Sequence, residues 1–237
     1  MQITTLEPFA LTYPLSESLP PSAVRPQRDE VDIFLVRVGV EDGASAWGEA
    51  WLEDEENLVG ATDFFAGIVG EAALLDRGLL FRRMMNALSE ATSDLSGTEL
   101  RDYCAVCSAI DTALWDLVGK RLDVSVARLL GGVRTRRIDT YVTGLYLEEF
   151  ETLRQRAMDI VDRGWWALKM KLQGDVERDA EIVEAMREAL GNQVILLADA
   201  NGSYETYEQA RKIGDVLGTN DFFWFEEPLP AGQWDDY

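Results

Sequence analysis

Apolar positions recur with two different periods along this chain, and the change between them divides it. Residues 1 to about 52 read as strands: QITTLEPFALTY is mixed apolar, DIFLVRVGV alternates, and SAWGEAWL follows the turn-forming EDG, which predicts a hairpin. Between the first two lies LSESLPPSAVRPQRDE, polar and with three prolines, which predicts an exposed loop. From Asn57 to about Lys120 the pattern is helical, in NLVGATDFFAGIVGEAALL, LLFRRMMNALSEA and YCAVCSAIDTALWDLVGK. Three strands followed by three helices predict an α+β unit. After the glycines of ARLLGGVRTRR, strand and helix alternate to the end: IDTYVTG, WWALKMK, VILLADAN and FFWFEEP are the strands, with amphipathic helices between them. Twenty-eight residues separate Thr143 from Lys171 and Lys171 from Asp199, and 27 separate Asp199 from Glu226. Such alternation predicts a parallel sheet buried on both faces, either a barrel or an open doubly wound sheet.

Composition narrows the functional classes. With 22 basic and 43 acidic residues the net charge is −21, so nucleic acid and anionic membranes are poor partners. No apolar stretch approaches the roughly 18 residues of a membrane helix. The start, MQITTLEPFALTY, lacks a basic segment followed by an apolar one, so a cytoplasmic protein is expected. Histidine is absent, which removes Ser-His-Asp and Cys-His mechanisms and any His-ligated metal from this chain. G-x-x-x-x-G-K-[ST], G-x-G-x-x-G and G-x-S-x-G are absent as well. Cys104 and Cys107 form a lone C-x-x-C; on an amphipathic helix they read as two small core residues rather than half a zinc site or a redox pair.

Polar groups then stand out at the carboxyl ends of the repeated strands. Strand parity puts Lys169 and Lys171 on one face and Leu168, Met170 and Leu172 on the other. Two neighbouring cations disfavour each other's charge, so one lysine is expected to have a lowered pKa and to suit general-base work. The alternative is an edge strand with both lysines toward water. Asp199 and Glu226 end adjacent strands, where two carboxylates could hold one hard cation; oxygen-only ligands point to Mg2+. Capping of the following helices is the alternative. Parity sends Glu227 to the side opposite Glu226.

With these residues in view the chain resembles the enolase superfamily, in its mandelate racemase/muconate lactonizing enzyme branch. The resemblance lies in WGEA (47–50), SAIDTALWDLVGKRLDVSVARLLGG (108–132), ALKMKL, ADAN and WFEEPLP (224–230), in that order. It implies an α+β capping domain over 1–132 and, over 133–237, an incomplete (β/α) TIM-type barrel of about four of the eight strands. By family role Lys171 would remove the proton alpha to a substrate carboxylate, while Lys169 would lower its pKa and contact that carboxylate. Asp199 and Glu226 would hold the Mg2+ that stabilises an enediolate, and Asn201 would bind near the carboxylate. The loop within 15–30 would close over the site. The implied substrate is a small carboxylate, a hydroxy acid or sugar acid, undergoing racemisation, epimerisation or dehydration in a homo-oligomer.

The family takes a third metal ligand from its fifth barrel strand and a second acid/base from later ones. Residues 138–237 fall well below the roughly 250 of a full barrel. This chain alone is therefore expected not to be a competent enzyme, and the functional reading describes its parent. A Schiff-base aldolase using a barrel lysine, or a non-catalytic truncated remnant, are the competing readings.

Only four of the basic residues are lysines, Lys120, Lys169, Lys171 and Lys212. An acidic, Lys-poor surface repels itself at low salt and is relieved by screening. Raising KCl to about 1 M should add on the order of 1 kcal/mol of stability, a rise in Tm of about 2–4 °C. Differential scanning fluorimetry across a KCl series checks this, and a flat response would remove the salt reading.

Overall fold

The computed structural model describes residues 1–19, 27–70, 72–146 and 148–237. They form two compact units, Met1–Pro14 with Glu30–Arg136, and Leu15–Asp29 with Arg137–Tyr237. Among the described residues no helix is long and apolar enough to cross a membrane.

The first unit holds most of a three-stranded sheet in the order β1 (Ile3–Leu19), β2 (Arg28–Val40), β3 (Ser45–Ala50), the end of β1 from Leu15 and the start of β2 to Asp29 being grouped with the second. It also holds helices α1 (Asn57–Val69), α2 (Arg77–Ala91), α3 (Gly97–Leu122) and the short α4 (Val126–Leu129). The alternation of DIFLVRVGV sends Phe34, Val36 and Val38 to one face, where they join Ala46 and Ala50 of β3 and the apolar stripe of α3 in a core. Ser96 and Glu99 close a reciprocal capping box at the start of α3, which satisfies two backbone donors there. The glycine of WGEA has a packing reason. A Cβ on Gly48 would lie 1.8 Å from the backbone oxygen of Ala109, so β3 and α3 touch backbone to backbone. Asp102, buried on α3, accepts the amides of Glu53 and Asp54 and the side-chain amide of Asn57, tying the β3–α1 connection to the helix.

Two sequence expectations change here, and a third falls outside the described residues. β1 runs to Leu19 and β2 starts at Arg28, so both strands extend into the stretch expected to be loop. Residues 20–26, the centre of the expected closing loop, lie outside the described residues. Cys107 is buried, and burial pushes its thiol up to about 12, but Cys104 is exposed because α3 turns a flank rather than its core stripe to that position.

The second unit is a parallel sheet in sequence order, β4 (Val142–Leu145), β5 (Ala167–Lys171), β6 (Ile195–Asp199) and β7 (Phe222–Glu226), joined by α5 (Phe150–Asp162), α6 (Val176–Leu190) and α7 (Tyr207–Thr219). Leu168, Met170, Leu172, Leu196 and Ala198 face the helices and pack on Leu153, Ile182, Val183, Met186 and Ile213. At the amino ends of the strands, buried Arg187 donates to the carbonyls of Gly191, Val194, Asn220 and Asp221, which locks the turns before β6 and β7. At the carboxyl ends, buried Asp179 of α6 accepts the amides of Gln173 and Gly174 and the hydroxyl of Tyr204, joining the loops that follow β5 and β6. Burial on both faces is incomplete: Phe223 and Trp224 of β7 remain 69% and 37% exposed. The face away from the helices holds a cavity of about 330 Å3 lined by Tyr141, Trp166, Leu197 and Trp224.

Gly48→Ala should destabilise the first unit by about 3 kcal/mol or more, because the atom in the way is backbone and no rotamer change relieves it. Chemical denaturation measures this; a cost under ~1 kcal/mol would mean that α3 can shift away from β3.

Candidate cation-binding and proton-transfer site

β5 and β6 pair in register through Lys171 opposite Asp199, and β6 and β7 through Asp199 opposite Glu226. A single row across three strands therefore carries an amine and two carboxylates at the carboxyl end of the sheet. Lys169 lies two residues earlier on β5, on the same face by strand parity. The adjoining Leu168, Met170 and Leu172 are buried under the helices, which leaves the lysines no other side.

The charges are interlocked. The Lys169 ammonium donates to Glu226 Oε2 at 2.9 Å and Oε1 at 3.0 Å, and lies 3.2 Å from Asp199 Oδ2. Lys171 donates to Asp199 Oδ2 at 2.6 Å and to Asn201 Oδ1 at 2.9 Å. The Asn201 amide nitrogen donates to Glu227 Oε2 at 3.2 Å, and its backbone N–H to Asp199 Oδ1 at 2.9 Å. Asp199 is nearly closed to solvent at 2% side-chain exposure, Lys169 at 9% and Lys171 at 17%, while Glu226 opens to 36%. The geometry brings all five sequence-predicted residues, Lys169, Lys171, Asp199, Asn201 and Glu226, into one cluster.

Burial acts on Lys169 to lower its pKa, but the hydrogen bonds and charges of Glu226 and Asp199 outweigh it and hold the ammonium above the ordinary lysine value. Lys169 is thus the lysine that keeps its charge, and each lysine sits closer to a carboxylate than a bare K-x-K suggests. For Asp199 burial would raise the pKa, yet hydrogen bonds from Lys171, the Asn201 amide and Lys169 leave it below the usual carboxylate range.

Glu227 is the residue that strand parity misplaced. Both Asn201 and Glu227 leave their strands in the left-handed region, at φ 49° and 42°, so alternation stops one residue earlier than the pattern suggests. The turn brings the Glu227 carboxylate to Asn201, and the Glu227 carbonyl accepts the N–H of Gly202 at 2.7 Å. Asn two residues after a strand-terminal Asp was the available signal, since Asn tolerates that conformation. Tyr141 was also missed; its ring lies 5.5 Å from the Lys169 nitrogen and stacks edge-on against Trp224. Next to Asn201 and Glu227 opens a cavity of about 450 Å3, bordered by Gly202, Leu229, Pro230 and Trp234, within the size range of small-molecule sites.

The donor set suits a hard divalent cation. Two carboxylates of neighbouring strands already close on one positive nitrogen, so their oxygens converge on a point where positive charge is stable. Oxygen donors without His or Cys match Mg2+, which keeps several waters and takes one or two carboxylates. Among the described residues no group of three or more His, Cys, Asp or Glu is placed to hold a metal.

Comparison with known proteins places these features in context. The family model described as mandelate racemase/muconate lactonizing enzyme, N-terminal domain, matches residues 15–131, and the one described as enolase C-terminal domain-like matches 152–237. D-galactarolactone cycloisomerase of Agrobacterium fabrum is 30% identical over 100% of this chain and 61% of its own length. Arabinonate dehydratase of Saccharolobus solfataricus is 37% identical over 52% of this chain and 33% of its own. The crystal structure of a racemase from Streptomyces coelicolor A3(2) with bound magnesium is 25% identical, with a TM-score of 0.82 over 97% of this chain and 63% of that one. The chain thus spans about three fifths of the cycloisomerase.

Lys169→Met keeps the apolar stem and deletes the charge between two carboxylates. Breaking a buried pair costs about 3–5 kcal/mol, reduced here to about 2–3 because Glu226 is partly exposed. The sign with pH follows from both partners. Depression of the Asp199 pKa is stability present above about pH 4 and lost as pH falls through the depressed value. Elevation of the Lys169 pKa is stability present below about pH 10.4 and lost as pH rises through the raised value. The difference between wild type and variant should hold between those limits and shrink outside them. Urea denaturation at several pH values checks it; equal stability at pH 7 would show that the ammonium is not holding the strands.

Proposed function

The chain belongs to the mandelate racemase/muconate lactonizing enzyme family of the enolase superfamily, and from that premise we propose that its second unit carries a base and a cation seat for removing the proton alpha to a substrate carboxylate. The observation behind this reading is the row Lys171–Asp199–Glu226 across three parallel strands, with Lys169 beside it. The four β/α repeats are read as barrel repeats of the family, in which the carboxyl ends of the strands carry the chemistry.

The two lysines divide the work. Lys169, deep and bonded to both carboxylates, stays charged and anchors negative oxygens. Lys171, nearer the opening and bonded to Asn201, is the amine that takes the alpha proton. Asn201 offers its amide nitrogen to the cavity side, where it can orient a hydroxyl or carboxylate oxygen. Asp199 and Glu226 would hold Mg2+, which when bound supplies positive charge against the carboxylate oxygens as the proton leaves. That help is needed because a proton beside a carboxylate is very weakly acidic. The substrate class is a hydroxylated carboxylate such as a sugar acid, in keeping with the names of two of the relatives. A cavity of about 450 Å3 with both polar and apolar walls has room for one.

The test is solvent exchange at carbon. With the full-length parent protein and Mg2+ in D2O, aldonates and aldarates are screened by proton NMR for loss of the alpha signal. Lys171→Ala should reduce exchange by at least ~10³-fold with Mg2+ binding intact, a loss within the range of general-base removal. Asp199→Asn should weaken Mg2+ binding itself, read by calorimetry. Exchange surviving in Lys171→Ala would assign the base elsewhere. Substrate trapped on Lys171 by borohydride would favour a Schiff-base mechanism instead.

A further inference from the structure

Glu227 borders the cavity beside the proton-transfer site in a conformation that its residue type disfavours. Its φ of 42° lies in the left-handed region, and it precedes Pro228, which favours an extended backbone. Gly or Asn would take this turn with less strain, so the choice of Glu points to something its longer acidic side chain does. That side chain reaches the neighbouring loop and accepts the Asn201 amide nitrogen at 3.2 Å. The backbones of the two loops are already tied without it. The Ala200 N–H donates to the Glu226 carbonyl at 3.0 Å, and the Gly202 N–H to the Glu227 carbonyl at 2.7 Å. A Cβ on Gly202 would lie 3.2 Å from Pro230 Cα, so the loops also touch. The carboxylate is free for another task.

We propose, on the reading of Lys171 as the base, that Glu227 is a positioning residue: it fixes which way round the Asn201 amide points and so holds Lys171. A half-turn about its last bond exchanges the oxygen and nitrogen of an Asn side chain. Here one neighbour donates and the other accepts. Lys171 donates to Asn201 Oδ1 at 2.9 Å, and an ammonium has no lone pair to offer a donor. The Glu227 carboxylate accepts from Asn201 Nδ2 and has no hydrogen to give. Both select the same orientation, while the reversed amide would set N–H against ammonium and oxygen against carboxylate. The backbone N–H of Asn201, bonded to Asp199 Oδ1 at 2.9 Å, anchors the other end of the residue. The orientation matters most when Lys171 is unprotonated. With Oδ1 toward it, the amine spends an N–H on the amide and keeps its lone pair for the alpha proton. A reversed amide would donate to that lone pair and block the base. With one Nδ2 hydrogen on Glu227, the second remains for a substrate oxygen in the cavity that Asn201 and Glu227 border.

Two measurements test this, and the first needs no turnover. In NMR spectra of the 237-residue chain carrying isotopically labelled asparagine, the Asn201 side-chain NH2 pair is assigned by its loss in Asn201→Ala. Its exchange with solvent should become about 5-fold faster in Glu227→Ala, the effect of one hydrogen bond. In Glu227→Gln, whose side-chain oxygen still accepts, it should stay near wild type. The second measurement is exchange of the alpha proton in D2O by the full-length parent protein with Mg2+. Glu227→Ala should lower kcat by about 10–100-fold, the cost of a misplaced reacting group, with circular dichroism and Mg2+ affinity unchanged. Glu227→Gln should recover most of that loss. The double variant Asn201→Ala/Glu227→Ala should be no slower than Asn201→Ala alone, because Glu227 acts only through that amide. Losses that multiply in the double variant, a Gln variant as slow as the Ala variant, or an NH2 pair indifferent to Glu227 would each overturn the proposal. An NH2 pair that responds to Glu227, in a wild type that exchanges no carboxylate, would support the amide orientation and sink the reading of Lys171 as the base.

Discussion

A single ammonium group between two carboxylates organises the second unit. Lys169 is buried, and so is Asp199; either charge alone in that position would be costly by several kcal/mol. Each is tolerated because the other is there, and Glu226 joins from the next strand. Since the three residues arise on β5, β6 and β7, the ionic contact is also a constraint on register. A slip of one residue in any strand would turn its charge into the apolar layer under the helices. The apolar pattern and the charged row therefore specify the same alignment from opposite faces of the sheet.

The surrounding loops preserve that alignment where hydrogen-bonded pairing ends. Asn201 and Glu227 turn through the left-handed region two residues and one residue after their strands, and the turns exchange a side-chain and a backbone hydrogen bond. On the other side, Asp179 gathers the two loop amides after β5 and the Tyr204 hydroxyl from the loop after β6. A Cβ at Gly174 would sit 2.5 Å from the Ser203 carbonyl, so these loops approach as closely as backbone allows. Lys171 and Asp199 are thus held from the row below and from the loops above. Rigid support of this kind is what a proton-transfer site needs if its donor and acceptor are to stay within hydrogen-bond reach.

What could be seen in the sequence follows from how local the information is. Strand parity needs only neighbouring residues, and it placed both lysines and both carboxylates correctly. The 28-residue spacing is also local, being the length of one strand, one helix and two turns, and it marked all four parallel strands. Parity failed at Glu227 because a positive φ after the strand breaks the two-residue period. Cys104 was misjudged because a helix stripe read in one dimension cannot tell which flank meets the sheet. Asp102, Asp179 and Arg187 left no signal at all: each looks like an ordinary charged residue of an amphipathic helix. Their burial depends on backbone groups 4 to 49 positions away in the chain.

The lysine pair shows why titration was harder to read than position. Sequence supplies the distance between two amines on one strand face but not the distance to carboxylates on the next strand. Repulsion between like charges and attraction to unlike ones have similar magnitude at similar range, so the sign of the net effect rests on geometry alone. In this fold the carboxylates are as near as hydrogen bonds permit, and at Lys169 attraction prevails over burial. The consequence is a distinction between two residues of the same type, two positions apart. The inner one is committed to charge by two acids, and the outer one donates to an acid and a neutral amide. A divalent cation at this place would draw on the same carboxylate oxygens that now hold the amines.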